Sequence, residues 1–113
     1  MRKRDVEYKF KVGSRATLQF TILDDTGLAK NLTSTTLYAT GVFKVWKPDG
    51  TLIINGAITF TTRAVGLVSY TLSATDSAAS NAGVWEGEVE ILNDTPIMEE
   101  QTDTFTVIIE NSN

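Results

Sequence analysis

A chain of 113 residues can bury a working core without disulfide or metal staples, and its 42% hydrophobic content argues against disorder throughout. It has no cysteine and no histidine, which excludes disulfides, thiol nucleophiles, structural zinc sites and the commonest general base near neutral pH. The net charge of −4 is lopsided: residues 1–63 carry all ten basic residues against five acids, and residues 64–113 carry nine acids and no base. Either the fold brings these halves together and neutralises them, or it leaves a positive and a negative end suited to head-to-tail packing of copies.

The chain opens on MRKR, a basic head with no apolar run behind it, so no signal peptide is read there. That predicts a soluble product of the cytoplasm, or one exported by a route that needs no signal. Residues 6–12 alternate, with Val6, Tyr8, Phe10 and Val12 on one side and Glu7, Lys9 and Lys11 on the other. Residues 16–23 repeat the pattern, with Ala16, Leu18, Phe20 and Ile22 opposed to Thr17, Gln19 and Thr21. Such a period of two is that of a half-buried strand. Asp24-Asp25-Thr26-Gly27 reads as a turn and residues 31–36 as a polar loop. Residues 41–46 form a strand that runs into Lys47-Pro48-Asp49-Gly50, where Pro48 sets the first corner and Gly50 completes the reversal. Asn55-Gly56 predicts a hairpin within residues 51–60. Val68, Tyr70 and Leu72 face inward on the next strand. Residues 74–80 read as a short helical turn capped by Thr75 or Asp76, and Gly83 eases entry into the strand 84–92. Trp85, Val89 and Ile91 point inward there, as do Phe105, Val107 and Ile109 on the last strand.

The fold class expected is all-β: a two-sheet antiparallel immunoglobulin-like sandwich of about 7–8 strands. Residues 1–113 read as a single domain, with residues 1–4 a basic arm and residues 111–113 a frayed end. Trp85 takes the place where immunoglobulin folds keep an aromatic corner residue, filling the core and giving its indole N–H to a carbonyl.

Candidate chemistry is sparse. Ser77 and Ser80 have no nearby base, since residues 64–113 hold no lysine or histidine. Glu86, Glu88 and Glu90 share one strand face at about 7 Å spacing, a pattern that fits a solvated or lysine-paired stripe better than an acid–base pair. Asp24, Asp25, Asp49, Asp94 and Asp103 are loop carboxylates that could meet around calcium, but no calcium-loop motif is present. Neither a metal nor any other cofactor is expected. Arg2, Lys3 and Arg4 form a solvated tail or an arm that grips a neighbouring subunit; without interleaved aromatics they do not predict nucleic-acid binding. No apolar run is long enough for a membrane span.

The face of interest follows from the alternation. With Phe43 and Val45 inward, Val42, Lys44 and Trp46 point outward beside Glu86, Glu88 and Glu90, and Ile108 joins them from the last strand. Aromatic and apolar groups rimmed by charge are typical of protein–protein contacts. An alternative use is glycan binding, with Trp46, Trp85 or Tyr38 stacking on sugar rings.

Several stretches, FKVGSRATLQFTILDDTG, VFKVWKPDGT and GLVSYTLSATDSAASNAGVWEGEVEI, together resemble the N-terminal domain of phage baseplate upper proteins. The resemblance is strongest at the Lys47–Gly50 turn and at Ala82-Gly83-x-Trp85. It implies an immunoglobulin-like virion module without catalytic residues. Such a module works in multiple copies and binds other virion proteins in a baseplate or tail, neck, fibre-attachment or head-decoration role.

Overall fold

The structure, a computed structural model, describes residues 6–111. Its strands are β1 (Glu7–Lys11), β2 (Thr17–Thr21), β3 (Thr40–Trp46), β4 (Leu52–Ala57), β5 (Thr59–Thr62), β6 (Leu67–Thr71), β7 (Gly83–Leu92), β8 (Met98–Gln101) and β9 (Phe105–Glu110). They form two sheets: a larger one in the order β1-β9-β7-β3-β4 with β8 also on β7, and a smaller one in the order β2-β6-β5. This is the all-β sandwich expected. One pairing departs from the antiparallel rule, since β1 lies parallel to β9, with Tyr8 opposite Val107 and Phe10 opposite Ile109.

Between the sheets lie the inward residues of the period-two strands: Phe10, Phe20, Ile22, Phe43, Val45, Val68, Leu72, Val89, Ile91, Phe105, Val107 and Ile109. Aromatic rings tie the layers together. Tyr8 and Phe20 are 5.0 Å apart, Phe20 and Phe43 5.2 Å, and Phe43 and Tyr70 4.9 Å. Leu32, in the stretch read as a polar loop, is fully buried. Its N–H donates to the Arg63 carbonyl, so the loop plugs one end of the core.

Asn55-Gly56 is not a hairpin. Both residues sit inside β4, opposite Lys44 and Phe43, and the chain changes sheet at Ile58, whose N–H donates to the Gly41 carbonyl. The reason is tertiary: a Cβ on Gly56 would stand 2.5 Å from the Tyr70 hydroxyl, so glycine lets that ring lie against the strand.

β8 and β9 are one interrupted strand. β9 pairs with the first half of β7 and β8 with its end, and the register slips between them. Thr102 bridges the break: its N–H donates to the Val89 carbonyl at 2.9 Å, and its Oγ1 accepts the Val89 N–H at 2.9 Å.

Candidate functional site

The outward face of the larger sheet is built by register. Lys44 lies across from Glu88, Trp46 from Glu86, and Val42 from Glu90. On the far side of β7, Thr106 opposes Glu86 and Ile108 opposes Val84; on the far side of β3, Leu52 opposes Trp46. The residues singled out from β3, β7 and β9 are therefore brought together. Val84 and Leu52, unassigned from the sequence, join them. They are 64% and 45% exposed, whereas Trp46 and Ile108 are only half-buried. For Val84 the signal was present in the alternation running back from Glu86. For Leu52 it was hidden by the bulge between Val45 and Trp46. The result is an apolar strip of Leu52, Trp46, Val84 and Ile108, flanked by Lys9, Lys44 and Glu86.

Charge on this face is mostly answered from within. Lys44 Nζ sits 3.0 Å from Glu90 Oε1, so one glutamate of the stripe is lysine-paired. Glu88 is the exception. Its Oε2 is buried with no hydrogen-bond partner. Burial first, then the neighbouring negative charge of Glu90, push its carboxyl above the usual glutamate range, and Lys44 only partly counters them. Lys11–Glu110 and Lys30–Glu100, at 3.8 and 3.4 Å, join the same two halves of the chain. Three ion pairs thus join the basic and the acidic half of the sequence among the described residues. Arg2, Lys3 and Arg4 lie outside the described residues.

The small-residue corner before β7 is structural. The stretch 74–80, read as a capped helical turn, is a hydrogen-bonded turn followed by a single 3-10 turn, Ala79–Asn81, with no side-chain cap on Ala78, so neither Thr75 nor Asp76 caps a helix. Instead Ser73 Oγ accepts the Asp76 N–H at 3.1 Å and Asp76 Oδ2 accepts the Ser73 N–H at 3.0 Å, which closes the turn. The Tyr70 hydroxyl donates to the same Asp76 oxygen at 2.6 Å. Burial, then this bond to a carboxylate, drive the phenol well above its ordinary range. Ser77 is fully buried, its hydroxyl between the carbonyls of Ser14 at 2.9 Å and Ser73 at 3.2 Å. Ser80 is exposed on a single 3-10 turn, Ala79–Asn81.

Trp85 keeps its predicted place and gives its indole N–H to the Asn81 carbonyl at 2.8 Å. It packs against the core without being fully enclosed. Gly83 has φ +152°, and any Cβ there would run into the Trp85 ring, so glycine is required. Lys47 lies 5.5 Å from the ring centroid. Pro48 and Gly50 form the expected turn, closed by the Gly50 N–H on the Lys47 carbonyl at 2.8 Å and by Asp49 Oδ1 on the Thr51 N–H.

Two sugar-stacking candidates are not available as platforms. Tyr38 is 9% exposed, and the Trp85 ring is packed inward under Lys47 and against Gly83. Calcium fares no better. Among the described residues no three acidic side chains gather as a metal-binding group. Asp24 spends one oxygen on the Thr26 N–H, the Thr26 hydroxyl and the Leu28 N–H, bonds that hold its carboxyl below the usual range. No helix among the described residues is long and apolar enough to cross a membrane.

The strand order, with a parallel first strand on the last and a three-stranded opposing sheet, defines an immunoglobulin-like sandwich. No protein-family model and no curated protein matches the sequence. Among solved structures, the fold is similar to the N-terminal domain of phage TP901-1 ORF48, with a TM-score of 0.68 and 19% identity over 90% of this chain and 82% of that one. It is also similar to CopC from Methylosinus trichosporium OB3b, with a TM-score of 0.52 and 7% identity over 99% and 88% of the two chains.

Proposed function

We propose that this chain is a structural module of a bacteriophage virion that binds neighbouring virion subunits, copies of itself included, and carries out no catalytic step. The observation that carries the reading is the fold likeness to a phage domain over 90% of the chain. It agrees with the resemblance of the Lys47–Gly50 and Ala82–Trp85 stretches to phage baseplate upper proteins. The outward face of the larger sheet is the contact surface: Trp46, Leu52, Val84 and Ile108 supply apolar area, and Lys44, Glu86, Glu88 and Glu90 supply a charged rim. A tail or baseplate position is preferred to a neck, fibre-attachment or head-decoration one, on the same resemblance.

The test is mass spectrometry and gold labelling of purified particles. The protein should be a stoichiometric virion component, and its absence from the particle rejects the reading. Trp46→Ala with Val84→Ser should lower incorporation into particles while the protein still folds. Glycan-array binding abolished by Trp46→Ala would instead favour a host-adhesion role.

A further inference from the structure

We propose that the free edge of β2, with the cleft beneath it, receives an extended strand donated by a partner chain, with apolar side chains at alternate positions and a lysine or arginine at one end. This site lies on a different part of the molecule from the outward sheet face and does not depend on the virion reading.

The edge is defined by hydrogen bonding. The Ala16 carbonyl accepts from Leu72 N–H, and the Ile22 N–H donates to the Gly66 carbonyl, so the even-numbered residues of β2 turn their backbone groups toward β6. By alternation the N–H and C=O of Thr17, Gln19 and Thr21 point away from the sheet, and no described strand pairs with them. Edge strands are commonly defended by charge, shortness or bulges. Among the described residues β1 carries Glu7, Lys9 and Lys11 along its length, and β5 is four residues long and irregular in register. β2 has five residues, no charge and no irregularity in its pairing.

What lies beside it favours a particular occupant. A cleft of about 240 Å³ opens between the sheets here, lined by Val6, Tyr8, Phe20, Leu23 and Phe105 with Thr102. Side chains on one face of a strand added to β2 would enter it. Past Thr21 and Leu23 the cleft runs into a groove lined by Asp24, Asp25, Glu100 and Asp103. Glu100 is paired with Lys30, which leaves the three aspartates to meet a cation at the end of the incoming strand. Neither the cleft nor the acidic groove reaches the free edge of β4.

The probe is a labelled octapeptide, Lys-Lys-Val-Thr-Val-Thr-Val-Thr, compared by fluorescence anisotropy with the version that begins Glu-Glu. The lysine peptide should bind the full-length chain, and the glutamate peptide at least about tenfold more weakly. Gln19→Pro removes an outward N–H without touching the β6 ladder; it should cut affinity about tenfold or more and leave the melting temperature nearly unchanged. Gln19→Lys with Thr21→Lys, which keeps every backbone bond, should weaken the lysine peptide as well. Asp25→Lys with Asp103→Lys should reverse the preference between the two peptides. The proposal is overturned if neither peptide binds, if the β2 variants leave affinity unchanged, or if Asn55→Pro on β4 abolishes binding instead. It is also overturned if binding appears only after Arg2→Glu, Lys3→Glu and Arg4→Glu, since the edge would then belong to this chain's own first residues.

Discussion

Thr102 closes the break between β8 and β9, and replacing it with valine isolates what that closure contributes. Valine keeps the shape and the backbone N–H that donates to Val89, but it removes the Oγ1 that accepts the Val89 N–H at 2.9 Å. Val89 is fully buried and Thr102 is 8% exposed, so water cannot readily replace the lost acceptor. An orphaned buried N–H costs about 1–3 kcal/mol, and about 2 kcal/mol is expected here because the rest of the ladder stays intact. For a chain of this size that is a fall in melting temperature of about 6–10 °C. Thr102→Ser keeps the oxygen and loses only a methyl group, worth about 1 kcal/mol. Circular-dichroism melts and urea titrations should therefore rank wild type above Ser and Ser above Val. Hydrogen exchange should quicken at the Val89 amide in the valine variant alone. Valine as stable as wild type, or serine as damaging as valine, would refute the reasoning.

Tyr70→Phe should cost about 1.5 kcal/mol, the low end for a bond to a carboxylate, because Asp76 keeps the Ser73 N–H; chemical denaturation reads it directly. Trp85→Ala should cost about 2–3 kcal/mol, less than the 3–5 of a fully enclosed aromatic, because the ring is only partly buried; a variant with an unchanged melting temperature would contradict its corner role. Glu88→Gln should raise stability modestly at neutral pH, the gain being reduced by partial exposure of the group. The sign follows from a folded-state pKa above the unfolded one: ionisation is disfavoured in the fold at neutral pH, and the penalty lifts as pH falls through the raised value. The gain should therefore vanish at about pH 4, where both states are largely protonated, and equal stability of the two proteins at pH 7 would count against it.

The strands were legible because their inward residues obey a two-residue period that local reading detects. Phe10, Phe20, Phe43, Val68, Val89, Phe105, Val107 and Ile109 all lie where alternation put them. The outward set Val42, Lys44, Trp46, Glu86, Glu88, Glu90 and Ile108 follows from the same alternation, so the candidate face was largely readable too. The corner before β7 was not, because Ser73, Thr75 and Asp76 all have capping chemistry, yet the reciprocal Ser73–Asp76 bonds close a turn and no helix starts there.

What sequence alone determined is which residues turn inward and which outward, because side-chain alternation is a property of the extended backbone itself. What only the tertiary structure decided is what each strand lies beside. Asn55-Gly56 has the local chemistry of a turn, yet the approach of Tyr70 and the pairing with Lys44 and Phe43 hold it in a strand. Leu32 sits in a polar stretch and is buried because the loop carrying it folds over an open end of the core. β1 runs parallel to β9, from the opposite end of the sequence, and β8 continues β9 through a threonine hydroxyl. That no described strand pairs with the outer edge of β2 is likewise a fact of sheet order, which no local pattern reveals.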